Sequence, residues 1–258
     1  MELSFVAVVA VVCAGFFAGA INALAGGGTL VALPVLIWLG VPPWSANIAC
    51  TVGLLPGYAG GAVAYRQELA QTATYRRPLL IIATIGGVIG AGLLLITPPR
   101  AFELVVPFLV LASVLLLIVR PWLARLVAQR GHPHPTSGRL SIGLMVSMFG
   151  CGVYGAYFGA ALGVLLLAAL GIYLQTSLQI QNALKSVLSL GCVAAGALIY
   201  IAAGQVEWVP ALLLLVASLA GGFVGGRLGR GLPEQVLRRI VIWIGLLVSA
   251  ALMIRTYA

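Results

Sequence analysis

The chain has no aspartate, a single lysine (Lys185) and only five glutamates. Its two histidines, His132 and His134, lie together in one polar stretch. A Ser/His/Asp or Cys/His set cannot be assembled from these residues, so the sequence reads as a non-enzyme. The four cysteines, Cys13, Cys50, Cys151 and Cys192, sit inside apolar runs without metal-ligand spacing. They read as small buried residues, and no metal or cofactor is expected. Charge is scarce as well: 7% of residues are charged and 62% hydrophobic, with a mean hydropathy of +1.15. No soluble core needs so much apolar sequence, which points to an all-α, polytopic helical membrane protein. An outer-membrane barrel would show alternating segments of about ten residues, whereas the apolar runs here are continuous. The net charge of +9 is carried by arginines in short loops between apolar runs. The positive-inside rule accounts for them without nucleic acid.

The apolar segments fall near 3–24, 29–40, 45–65, 78–97, 102–119, 140–158, 160–171, 179–203, 209–226 and 236–254. The first begins with Glu2 and has no basic flank, so it reads as a retained helix rather than a signal peptide. The segments at 29–40 and 160–171 have about twelve residues where a span needs about twenty, which makes them half-helices, tilted partial spans or re-entrant pieces. The stretch from Arg120 to Arg139, with His132-Pro133-His134-Pro135 inside it, reads as a solvated linker stiffened by prolines. It divides the chain into a first membrane repeat (1–120), a cytoplasmic linker (121–139) and a second repeat (140–258).

The two parts match residue by residue. At an offset of 135, Asn47 pairs with Asn182, Thr51 with Ser186, Tyr65 with Tyr200, Gly86-Gly87 with Gly221-Gly222, Gly90 with Gly225 and Pro98 with Pro233. Earlier in each half the offset is 131, pairing Gly19 with Gly150, Gly28 with Gly159 and Gly40 with Gly171. Ordered matches with one loop indel are the mark of an internal repeat. Arg66, Arg76 and Arg77, the central loop, and Arg227, Arg230, Arg238 and Arg239 mark cytoplasmic ends. The links near 97–101 and 204–208 then face outside, as do both termini. Tyr65 ends inside and Tyr200 outside, so the repeats are inverted, each with a short half-helix after a glycine turn.

Gly26, Gly27 and Gly28 interrupt an apolar run, and backbone can leave the helix at bilayer depth only where it is buried in protein or lines a cavity. The triplet is no phosphate loop, since no Gly-Lys-Ser/Thr follows. Asn22 and Thr29 flank it and could add hydrogen-bond donors, and the free N–H groups of the segment starting at Thr29 would face an anion favourably. Lys185 lies roughly ten residues, or about 15 Å, into its run, too deep to snorkel, and an intramembrane charge is a functional hypothesis by default. Its first-half counterpart is Cys50. Asn47/Thr51 and Asn182/Ser186, at i and i+4, put two donors on one face of each helix. With Lys185 they could hold a small oxyanion, or they could bond helix to helix, and both readings stand. Gly86/Gly90 and Gly221/Gly225 read as close helix packing.

The run GFFAGAINALAGGGTLVALPVLIWLG, the Ser45-Ala46-Asn47-Ile48-Ala49-Cys50-Thr51 stretch and the weaker echo in the second half resemble the sulfite exporter TauE/SafE family. The spacing from Gly26 to Pro34 is the most specific element, and the resemblance spans essentially the whole chain. The second half departs from it, with Gly159 standing where the first half has three glycines. The resemblance implies export or uptake of small sulfur-containing anions, such as sulfite, sulfonates or sulfoacetate, in the bacterial inner (plasma) membrane. The expected function is an inverted-repeat secondary transporter, working as an exporter, with substrate between the halves near Asn22, Gly26, Gly27, Gly28, Thr29, Asn47, Cys50, Thr51, Asn182, Lys185 and Ser186. A channel-like anion pathway, a cation carrier and a non-transporting assembly subunit are the alternatives. A small anion and the lipid bilayer are the expected partners, a homodimer is left open, and nucleic acid is excluded.

Overall fold

Apolar chain in a bilayer satisfies its backbone either within helices or around a closed barrel. A computed structural model describes residues 4–24, 26–129, 140–174, 176–228 and 234–257, and among these there are twelve helices and no strand. In order they are α1 (Phe5–Leu24), α2 (Thr29–Trp38), α3 (Pro43–Gly53), α4 (Leu55–Ala64), α5 (Arg66–Ala70), α6 (Ala73–Ile96), α7 (Pro99–Gln129), α8 (Ile142–Tyr157), α9 (Leu162–Tyr173), α10 (Leu178–Ala202), α11 (Trp208–Leu228) and α12 (Glu234–Tyr257). Five of them, α1, α6, α7, α10 and α11, are long and apolar enough to cross a membrane. The short segments after the turns are helical, with ten residues in α2 and twelve in α9.

Two segment expectations are corrected. The run at 45–65 is two helices, not one, with the break at Leu54. Pro56 has no N–H to give to the Val52 carbonyl, and its ring crowds that position. Next along, the Gly57 N–H turns to the Leu54 carbonyl at 3.1 Å, and the Gly53 carbonyl takes a hydrogen bond from Ser218 Oγ on α11 at 2.7 Å. The matching part of α10 has no proline and stays continuous. In addition, α7 does not stop near 119 but runs through Pro121 to Gln129, taking up the first part of the expected linker. The rest of that linker, including His132-Pro133-His134-Pro135 and Arg139, lies outside the described residues, as does Pro233.

Helix starts keep the 135-residue register: Pro43, Ala73 and Pro99 begin α3, α6 and α7, and Leu178, Trp208 and Glu234 begin α10, α11 and α12. The turns shift the earlier pairing. Gly26 and Gly159, 133 residues apart, both have left-handed φ (+74° and +73°). Each donates its N–H five residues back, to Ile21 at 2.9 Å and to Tyr154 at 3.0 Å. Conformation therefore pairs Gly159 with Gly26 rather than with Gly28. Likewise Gly40 closes α2 at φ +87°, while Gly171 is an ordinary residue within α9.

The helices pack into two groups, and each group draws on both halves of the chain. In one, α1 lies along α11, with α3 and α4 against them; in the other, α6 lies along α8, with α10 against both. Glycine makes both close contacts. A Cβ on Gly19, Gly221 or Gly225 would run into backbone across the α1–α11 seam, and one on Gly86, Gly90 or Gly152 would do so across α6–α8. The groups meet where α10 crosses α4 and α3.

Candidate functional site

The centre of the molecule is built from the two turns that follow α1 and α8. In the first, Asn22 in the last turn of α1 accepts the Gly28 N–H on Oδ1 at 2.7 Å, tying the end of α1 to the start of α2. Its Nδ2 stays at that helix start, buried and without a hydrogen-bond partner. Asn22 is 2% exposed, and Thr29 beside it is also buried. Tyr58, from α4, faces the Thr29 side chain.

The second turn is closed by different side chains. Tyr154 donates to the Ala160 carbonyl at 2.6 Å, and Ser113 of α7 lies 2.8 Å from the Tyr154 hydroxyl. Tyr200 of α10 donates to the Ala156 carbonyl at 2.7 Å. Ala161, which caps α9, has φ +57°, and it is the one non-glycine residue with positive φ among the described residues. Backbone held there is strained and persists only when its surroundings fix it, as these hydroxyl bonds do. The two turns abut, because a Cβ on Gly26 would press on the backbone of Gly163 in the first turn of α9.

The two Asn-hydroxyl pairs come to these turns from α3 and α10. Asn47 donates Nδ2 to the Tyr157 carbonyl at 2.9 Å, fastening α3 to the end of α8. Ser186 Oγ sits where a Cβ on Gly61 would meet it, next to Ala23 of α1. Thr51 Oγ1 donates to the Asn47 carbonyl and Ser186 Oγ to the Asn182 carbonyl, each at 2.9 Å. Each hydroxyl proton is thus given to its own helix one turn back, as serine and threonine in helices often do. What these hydroxyls offer to anything else is lone pairs. Asn47 Oδ1 and Asn182 Oδ1 are buried without hydrogen-bond partners. Lys185, 1% exposed, follows Asn182 by three residues on α10, one turn along, and Cys50 holds the matching buried place on α3.

The structure thus gathers Asn22, Gly26, Gly27, Gly28, Thr29 and Ser186 around the first turn and sets Asn47 at the second. The signal for the missed residues was present: a tyrosine or serine inside an apolar run needs a partner for its hydroxyl. Tyr58, Ser113, Tyr154 and Ser218 all fit that description. Phe102 of α7 covers the second turn, with ring centroids 6.0 Å from Tyr157 and 6.3 Å from Phe158. Near this ring lies a pocket of about 340 Å³ lined by Pro43, Arg100, Glu103 and Thr256, with Ile37 and Leu252 as apolar wall. None of the expected site residues lines it. Among the described residues no group of three His, Cys, Asp or Glu could hold a metal ion.

A family model described as Sulfite exporter TauE/SafE matches residues 11–252. Among curated proteins, the chain is similar to the "Probable membrane transporter protein" of Haemophilus influenzae, at 27% identity over 92% of this chain and 91% of that one. It is similar to the "Probable membrane transporter protein ORF9" of Sinorhizobium sp at 26% identity, covering 100% of this chain and 95% of the relative. It is also 23% identical to the "Probable membrane transporter protein YfcA" of Escherichia coli, over 92% of this chain and 86% of the relative. No solved structure matches the chain.

Proposed function

The chain belongs to the sulfite exporter TauE/SafE family, and from that premise we propose that it moves small sulfur-containing anions, such as sulfite, sulfonates or sulfoacetate, out across the bacterial inner membrane. It is a multi-pass membrane transporter; the substrate, the direction and the mechanism are the proposal.

The observation that carries the substrate class is Asn22 Nδ2, a buried donor without a partner, held at the start of α2. A helix start carries positive partial charge and N–H groups that favour an anion. Ser186 stands close to this turn on α10, and a protonated Lys185, its neighbour in sequence, would bring a full positive charge to the anion. A sulfonate or sulfite oxygen would sit against Asn22, Gly26 to Gly28 and Thr29, with Lys185 supplying the charge-assisted interaction. Asn182 and Ser186 of α10 would complete the lining.

The mechanism we propose is alternating access in an inverted repeat. Three features support it. Helix starts recur at 135 residues, the turns at Gly26 and Gly159 share one closure, and exchanging the halves turns the α1–α11 pair into the α8–α6 pair. Because each packed group mixes helices from both halves, the bodies that rock are α1/α3/α4/α11 and α6/α8/α10, not the first half against the second. An inside-negative potential favours anion efflux by about 2.3 kcal/mol per charge per 100 mV.

The test is thermal unfolding of purified protein with sulfite, sulfoacetate, taurine or sulfate, with Asn22→Ala and Lys185→Ala alongside. The expected outcome is saturable stabilisation of the wild type by a sulfur anion and its loss in both variants. Equal stabilisation of a well-folded Lys185→Ala would remove Lys185 from the site. Variants that lower only the folded yield would favour an assembly role. Flux that saturates in proteoliposomes separates a carrier from a channel.

A further inference from the structure

We infer that Asn47 and Thr51 hold a monovalent cation at the second turn. The inference rests on the transporter reading for its purpose, but its site is made of other atoms than the proposed anion site.

The orientation of the Asn47 amide is fixed, because Nδ2 donates to the Tyr157 carbonyl at 2.9 Å. That leaves Oδ1 facing inward, on a residue with 0% exposure and with no donor for that oxygen. A buried amide oxygen left without a partner costs stability, so such an atom calls for a ligand that accepts its lone pairs. One turn further along the same face, Thr51 Oγ1 has given its only proton to the Asn47 carbonyl and likewise keeps only lone pairs for a ligand. Asn47 lies by the C-terminal end of α8, where the helix carbonyls carry negative partial charge. The Tyr157 carbonyl there, engaged by Asn47 on one lone pair, has a second.

The chemistry of the donor set selects the ion. Amide, hydroxyl and carbonyl oxygens suit a hard cation, and neutral ligands without a carboxylate suit a single charge over a double one. Backbone carbonyls and helix C-termini beside a chain break are the usual coordination of Na⁺ in transporters with interrupted helices. The second half makes the contrast. Asn182 and Ser186 repeat the arrangement, with Oδ1 again lacking a partner and the hydroxyl again turned to its own helix. There, however, the position matching Cys50 is Lys185, a buried basic side chain. The first half has only a thiol at that place and must take its positive charge from solution. A pocket of about 340 Å³ lies on the same helix one turn earlier, lined by Pro43 and by Glu103.

The experiment titrates NaCl into purified full-length protein at constant ionic strength, with choline chloride making up the balance, and follows thermal unfolding. The expected result is a saturable Na⁺-dependent stabilisation of the wild type. In Thr51→Val and Asn47→Ala the apparent Na⁺ affinity should fall by at least about tenfold, the loss that removal of even a supporting group brings to an ion site. Thr51→Val keeps size and shape and gives up only an oxygen, so it carries the test if Asn47→Ala fails to fold. Coincident choline and Na⁺ curves for the wild type would overturn the inference, and so would a wild-type Na⁺ response in folded Thr51→Val. Repeating the titration with sulfoacetate present separates the two readings. An intact Na⁺ response without any sulfoacetate effect counts against the substrate class alone.

Discussion

Gly26 stands where two constraints meet. Its φ of +74° is a conformation that costs an L-residue about 1–2 kcal/mol, and its missing Cβ makes room for the backbone of Gly163. Gly27, one residue on, has neither constraint: a Cβ there would meet only Leu117 Cδ1, at 4.0 Å. Gly26→Ala is therefore expected to lower the melting temperature clearly, and Gly27→Ala to leave it nearly unchanged, as read by thermal unfolding in detergent. Equal effects would remove the contact between the turns from the account. The importance of the triplet was legible in the sequence, but the division of labour within it was not. Glycine identity says that a turn is allowed, and only the dihedral angles say which glycine makes it. For the same reason matching by identity set Gly28 against Gly159, where the backbone sets Gly26. The hydroxyls of Thr51 and Ser186 were legible as polar atoms on one face with Asn47 and Asn182. Where their protons go depends on a rotamer that no sequence pattern carries.

At the scale of elements, the interrupted helix α3–α4 differs most from its counterpart. Pro56 ends α3 early, and the orphaned Gly53 carbonyl is satisfied across the seam by Ser218. Removing that donor leaves a buried carbonyl unpaired, at a cost of about 1–3 kcal/mol. Ser218→Ala should lower stability by that order in a chemical or thermal unfolding measurement, whereas Ser218→Thr, which keeps a hydroxyl, should recover part of it. The break was visible in the sequence as Pro56, yet apolarity ran on unbroken from 45 to 65 and concealed it. The continuation of α7 through Pro121 was hidden for the opposite reason, since polar residues beyond 119 look like loop even where a helix carries them on. The short segments α2 and α9 were readable by length alone, being well under the span of a bilayer.

At the scale of the whole molecule, the arginine distribution makes a prediction about sidedness. Gln71, exposed between α5 and α6, should face the cytoplasm, and Pro98, exposed between α6 and α7, the outside. In intact cells a membrane-impermeant maleimide should label Pro98→Cys, and should reach Gln71→Cys only after the membrane is opened. Three of the four native thiols are buried, which keeps the background low. The reverse pattern would overturn the orientation, and labelling of both from outside would overturn the single crossing by α6. Hydropathy made the helical class and most spans readable. Pairing across the chain was not readable, because α1 with α11 and α6 with α8 meet through glycines that could as well have met their neighbours in sequence.

That pairing has a consequence for biogenesis. The main partner of α1 is α11, which begins at Trp208. A ribosome making this chain delivers α1 to the membrane first and its neighbour nearly last. Throughout that interval the glycine-lined face of α1, with Gly15 and Gly19, is open to acyl chains or to an insertase. Neither half can mature alone during synthesis, and a nascent chain stalled before α11 leaves an unmatched helix in the bilayer for quality-control proteases to find.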